Sequence, residues 1–154
     1  MKYFTLRWWE GKVENPMAVN EQYCRYVQSV KKSLPKDLWR LFWNVSLHDA
    51  PLRRLHFAQN KLELKLDGER RDKGKYRPGL RRFRLTYDGV SRMTSLASPK
   101  RGLGGPGGYG DLGYDEIEVI ADGLFEHRIL FSSGIELQVR FSNFTLWYED
   151  DAAS

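Results

Sequence analysis

Between Lys61 and Asp67 the chain reads Lys-Leu-Glu-Leu-Lys-Leu-Asp, with leucine at every second position and a charge at the others. Successive side chains of an extended strand point to opposite faces, so the run places three leucines on one face and four charges on the other. A helix does not sort residues with a period of two, and a strand buried on both faces of a parallel sheet would not carry charges. The run therefore predicts a half-buried strand in an antiparallel sheet that is packed on one side and solvated on the other. Phe83, Leu85 and Tyr87 alternate in the same way with Arg82, Arg84 and Thr86, while Leu52 to Phe57 precede the leucine run across Gln59-Asn60. Asp122-Gly123 and Ser133-Gly134 have the composition of hairpin turns, where glycine supplies positive φ, and they predict strands near 115–121, 124–132 and 135–148.

The first third has a different period. Asn15-Pro16 offers an N-cap followed by a proline at the first helical position, where a missing N–H costs nothing. Val19, Tyr23, Tyr26, Val27, Val30 and Leu34 then recur at spacings of mostly three and four, which predicts a helix within about 16–33. Pro35 ends it, and Leu38, Trp39, Leu41, Phe42 and Trp43 form a short apolar segment expected to wedge into the core. Met1 to Glu10 is expected to be an edge strand. The chain is thus expected to be a single α+β domain over 1–154, its N-terminal strand and helices packed on a mostly antiparallel β-meander from about residue 51 to 148. The glycine-rich stretch Ser98 to Gly110 is expected to be a long mobile loop.

Composition narrows the class. A chain of 154 residues with 41% hydrophobic and 14% aromatic content holds enough apolar area for one ordered core, which excludes an intrinsically disordered chain. Charges interrupt every apolar run before the roughly 20 residues a membrane span requires, so no membrane role is expected. The one cysteine, Cys24, allows neither an intramolecular disulfide nor a multi-thiolate zinc site, which suits a reducing cytoplasm. The formal net charge of +5 could attract polyanions only where its cations cluster in space.

Candidate sites are few. Gly102-Leu103-Gly104-Gly105-Pro106-Gly107 matches G-x-G-x-x-G, but a β-patterned segment follows it instead of the helix that a dinucleotide loop needs. His48 and Asp49 are the sequence's only adjacent His-Asp pair. Neighbours in an extended segment point to opposite sides, so the two are expected not to serve each other. Asp49 is expected to accept backbone N–H bonds in the turn before Pro51. His127 alternates with Phe125, Ile129 and Phe131, as a core histidine would, and with His48 and His56 it shows no metal-ligand spacing. Cys24 reads as an inert, partly buried thiol, and Asp115, Glu116 and Glu118 as a solvated strand edge. No cofactor, metal site or catalytic residue is expected. From Arg70 to Arg84 cations alternate with Tyr76 and Phe83, a pattern that suits either a charged hairpin or a weak single-stranded nucleic-acid surface.

The opening Met1-Lys2-Tyr3-Phe4-Thr5 with Trp8-Trp9, and the Ser46-Leu47-His48-Asp49-Ala50 step into a meander, resemble small uncharacterised bacterial proteins. The helix-to-meander pattern with its His-Asp step is also similar to some immunity proteins of bacterial toxin systems. The resemblance implies a bacterial cytoplasmic protein and carries no catalytic residue with it. The leading expectation is a non-enzymatic protein-interaction module, immunity-like in role, with a protein partner. The alternatives are a weak single-stranded nucleic-acid binder through Arg70 to Arg84, and a small-ligand binder or enzyme with its pocket near His48 and Asp49. The candidate binding residues are accordingly His48, Asp49, Arg53, Tyr76, Arg82 and Arg84.

Overall fold

The computed structural model describes residues 1–72, 75–97 and 108–148, with backbone alone at 70–72, 75–78 and 80. Three helices come first: α1 (Leu6–Trp9), α2 (Pro16–Ser29) and α3 (Lys36–Asn44), with a 3-10 turn at Lys31–Ser33. Nine strands follow: β1 (Val45–Ser46), β2 (Ala50–Ala58), β3 (Lys61–Asp72), β4 (Lys75–Asp88), β5 (Arg92–Leu96), β6 (Asp111–Ala121), β7 (Leu124–Phe131), β8 (Glu136–Phe141) and β9 (Asn143–Tyr148). The α+β class stands, and the strand pairings among the described residues are antiparallel.

The strand order is β5-β8-β7-β6-β2-β3-β4-β9, with β1 also on β3. Only Ala50 and Pro51 of β2 pair with β6, so this short seam joins two four-stranded halves. The halves fold onto each other, as ring contacts across the core show. Tyr87 of β4 meets Phe141 of β8 at 5.0 Å, and Phe141 meets Phe144 of β9 at 5.9 Å. Leu62, Leu64 and Leu66 are fully buried, as are Phe83, Leu85 and Tyr87, while the intervening charges lie outside. The alternation read from the sequence is thus the division between core and water. Gln59 and Asn60, both at positive φ, make the tight β2–β3 hairpin, and Gly123 and Gly134 turn the β6–β7 and β7–β8 hairpins.

The helices cover what the sheet leaves open. Asn15 caps α2 by accepting from Ala18 N at 3.0 Å. The helix buries Tyr23 and Val27, and its phenols reach the edge of β6, where Tyr23 accepts from Ile117 N at 2.7 Å and Tyr26 from Val119 N at 2.9 Å. In α3, Leu38 and Leu41 are buried, and Asp37 accepts from Leu146 N on β9 at 3.0 Å. Edge amides that would template another strand are thereby satisfied by side chains.

Three sequence expectations are corrected. Residues 1–10 do not form an edge strand. The buried carboxylate of Glu116 instead accepts from the backbone amides of Lys2, Tyr3 and Phe4, the groups a ladder would have used. Thr5 then caps α1 by accepting from Trp8 N. The same bonds overturn the solvated reading of the acidic strand, since Glu116 is 1% exposed and also holds Arg128. Finally, the segment 135–148 is not one strand: it breaks at Ser142 so that β8 stays with β7 while β9 crosses to β4, and β5, on β8, was not anticipated. Among the described residues, no helix is long and apolar enough to cross a membrane. The expected loop lies outside the described residues except at 108–110, where Tyr109 packs on Phe131 at 5.0 Å.

Candidate functional site

The segment between β1 and β2 makes the site. Asp49 N donates to Leu112 O at 2.8 Å and Ala50 N to Leu47 O at 2.9 Å, which ties a tight turn to the start of β6. Within that turn Asp49 adopts φ 58°, the left-handed conformation that short polar residues tolerate best after glycine. The expectation that His48 and Asp49 point apart assumed extended backbone and is overturned here. Asp49 Oδ2 lies 3.5 Å from His48 Nε2. Nor is Asp49 a structural anchor, because its side chain is 78% exposed and the turn is held by backbone bonds.

The His48 ring is oriented from its other nitrogen. Nδ1 lies 2.7 Å from the carbonyl oxygen of Gly113, which can only accept, so the proton belongs on Nδ1. In the neutral ring Nε2 is then a lone-pair acceptor, with the Asp49 carboxylate at ion-pair distance from it. The ring also packs on Tyr114, with centroids 4.9 Å apart. Burial, and then the Asp49 charge, push the Tyr114 phenol above its ordinary pKa. Gly113 leaves room for the Trp9 ring, since a Cβ there would come within 2.3 Å of it and displace the indole or the strand. Gly68 on β3 is nearly as tight, with Leu47 and the Ser46 carbonyl each 3.0 Å from a Cβ.

Around this turn opens a cavity of about 800 Å³. Helix α2 contributes Asn20, Tyr23 and Cys24, and α3 contributes Phe42 and Trp43. The β1–β2 turn supplies His48 and Asp49, β3 supplies Asp67 and Glu69, and β6 supplies Tyr114 and Asp115. Four carboxylates therefore line one space together with aromatic rings, and no Lys or Arg lines it among the described residues. Two of the carboxylates are held from behind. Asp67 accepts from Arg53 Nε at 2.7 Å, and Asp115 lies 2.9 Å from Nε2 of His127.

That second contact runs on into the core. His127 is fully buried, and its Nδ1 lies 2.7 Å from the Tyr87 hydroxyl. The Asp115 carboxylate accepts at Nε2, so in the neutral ring Nδ1 is the lone-pair nitrogen and the Tyr87 hydroxyl, whose pKa burial and then the Asp115 charge push well above its ordinary value, donates to it. Nε2–H is left to donate to Asp115. The three residues form a chain of donors that ends on a carboxylate at the cavity wall.

Of the residues singled out by sequence, His48 and Asp49 are in the site, and Arg53 lies outside its lining and holds Asp67. Arg82 and Arg84 alternate with buried Phe83 and Leu85, so they lie on the outer face of β4 and away from the cavity lining. The backbone of Tyr76 sits opposite Arg71 in the β3–β4 hairpin, and its side chain is outside the described residues, as is the Gly102–Gly107 stretch. His56 is exposed on β2 and His127 is buried in the core, so the three histidines occupy separate environments. No group of His, Cys, Asp or Glu that could hold a metal occurs among the described residues. Asp67, Glu69, Trp43 and Tyr114 were missed, and no local spacing links them. Asp115 was noticed only as part of an acidic run.

A family model described as "Protein of unknown function (DUF4085)" matches residues 1–139. No curated protein matches the chain.

Proposed function

We propose that this chain, which belongs to the DUF4085 family, is a binding module whose cavity takes an organic cation, an amine or guanidinium attached to an apolar or aromatic body. One observation carries the reading. In a chain with 25 Lys and Arg and a net charge of +5, a cavity of about 800 Å³ is lined by Asp49, Asp67, Glu69 and Asp115 and by no basic side chain among the described residues. The volume falls within the usual range for small-ligand sites. A cation entering it exchanges water for charge-assisted bonds to carboxylates and for the faces of the aromatic rings. His48 Nε2, an acceptor while the ring is neutral, adds a further partner for an N–H donor. A cytoplasmic setting accords with a chain whose single cysteine allows no intramolecular disulfide.

Calorimetric titration with benzylamine, tyramine and agmatine, each beside its uncharged analogue, tests the reading. Asp49→Asn, at an exposed carboxylate, should weaken the amines by about two- to fivefold, the scale of a solvent-screened ion pair, and should leave the neutral analogues unaffected. If free amines do not bind while a lysine-rich peptide does, the cation belongs to a protein partner, as an immunity-like role would require. Equal binding of amines and neutral analogues would contradict the reading.

A further inference from the structure

The register of the β2–β3–β4–β9 half builds a feature that no stretch of sequence contains. Arg54 on β2 stands opposite Lys65 on β3, Lys65 opposite Arg84 on β4, and Arg84 opposite Trp147 on β9. Lys65, Arg84 and Trp147 alternate with the buried Leu64, Leu66, Phe83, Leu85 and Leu146, so the row crosses the outer face of the sheet. At about 4.8 Å per strand it spans roughly 14 Å. Like charges directly opposite each other destabilise a sheet, so three consecutive cations are not accounted for by folding. Glu63 lies 3.6 Å from Lys65 and 3.7 Å from Arg84, which are ion-pair distances too long for hydrogen bonds. Arg84 Nε is buried with no hydrogen-bond partner, and its guanidinium lies over the Trp147 ring at 5.0 Å. Trp147 itself is 44% exposed. In the next row His56, Glu63, Thr86 and Thr145 stand opposite one another and offer hydroxyl donors.

We infer that this outer face binds single-stranded nucleic acid, with backbone phosphates on Arg54, Lys65 and Arg84 and an unpaired base stacked on Trp147. Charge complementarity selects a polyanion, and the exposed indole selects one with accessible flat rings, which a duplex hides. None of Arg54, Lys65, Arg84 and Trp147 lines the cavity.

The test is fluorescence anisotropy with a labelled oligothymidylate of about twelve nucleotides, in salt from about 50 to 200 mM, using the full chain. Binding should weaken steeply with salt. Arg54→Glu with Lys65→Glu should lower the slope of log affinity against log salt by about 1.4, two cations' share for a single strand. Trp147→Ala should weaken binding by about five- to a hundredfold and leave that slope unchanged. Circular dichroism checks that each variant folds. If the double variant does not, Arg54→Glu alone, on the exposed strand β2, should move the slope by about 0.7. Three results would each overturn the inference: no binding at the lowest salt, equal binding of a duplex or dextran sulfate, or affinity indifferent to the charge reversals.

Discussion

The Tyr87 hydroxyl donates to His127 Nδ1 across 2.7 Å, and this bond crosses from one half of the folded sheet to the other inside the core. Tyr87→Phe keeps the ring and leaves a buried nitrogen without its donor. It should cost about 1–3 kcal/mol, the usual penalty for an orphaned buried polar group. Urea denaturation measures it, and a loss within about 0.5 kcal/mol of zero, as for an indifferent surface change, would show that the bond contributes little.

Alkaline pH should unfold the protein through the same region. Burial, and behind it the Asp115 charge, raise both the Tyr23 and Tyr87 phenols well above their ordinary pKa of 10.0. The unfolded chain therefore releases these protons first, and above about pH 10 it binds fewer protons than the native state, so stability falls as pH rises. The phenolate absorbance of these two residues should appear together with the loss of circular dichroism. In Tyr23→Phe/Tyr87→Phe the alkaline decline should be shallower, and an unchanged decline would assign it to other groups.

At acid pH the sign reverses. Burial alone would raise the Glu118 pKa, but the bonds from Lys2 and Arg128 outweigh it and hold the carboxyl below 4.5. Its contribution is complete above that value and is lost as pH falls through the lower folded-state pKa. Melting temperatures recorded between about pH 5 and pH 3 should fall less steeply for Glu118→Gln than for the parent. Parallel curves would show that Glu118 contributes nothing to acid unfolding.

Gly113→Ala should be costly for a reason independent of backbone conformation. The added methyl would meet the Trp9 ring at 2.3 Å, so either the indole or the β6 strand must move. A cost of about 1–3 kcal/mol is expected from overpacking, with a change in tryptophan emission as Trp9 is displaced from Tyr114. Unchanged stability and emission would show that the contact is loose.

What the sequence disclosed was local. Leu62, Leu64 and Leu66 announced their buried face because alternation is a property of neighbours, and Asn15-Pro16 announced α2 for the same reason. The N-terminal segment was misread because the carboxylate that takes its amides, Glu116, lies 112 residues from Phe4. The adjacency of His48 and Asp49 is legible in the sequence, but their relative direction is not, because one positive φ at Asp49 reverses the rule for extended neighbours. Asp67, Glu69 and Asp115 join them in the cavity, and Arg54, Lys65, Arg84 and Trp147 join in a row, only through strand register, which is set by long-range pairing.

The most direct measurement of the cation-binding claim is a titration of ¹⁵N-labelled protein with benzylammonium, followed residue by residue in amide and indole shifts. Shifts should concentrate at Asn20, Trp43, Asp49 and Gly113, which line the cavity. Asp49→Asn should move their midpoint to about two- to fivefold higher benzylammonium, and benzyl alcohol should not reproduce them. Shifts scattered over the surface, or matched by the alcohol, would contradict the claim that the acidic, aromatic cavity selects positive charge.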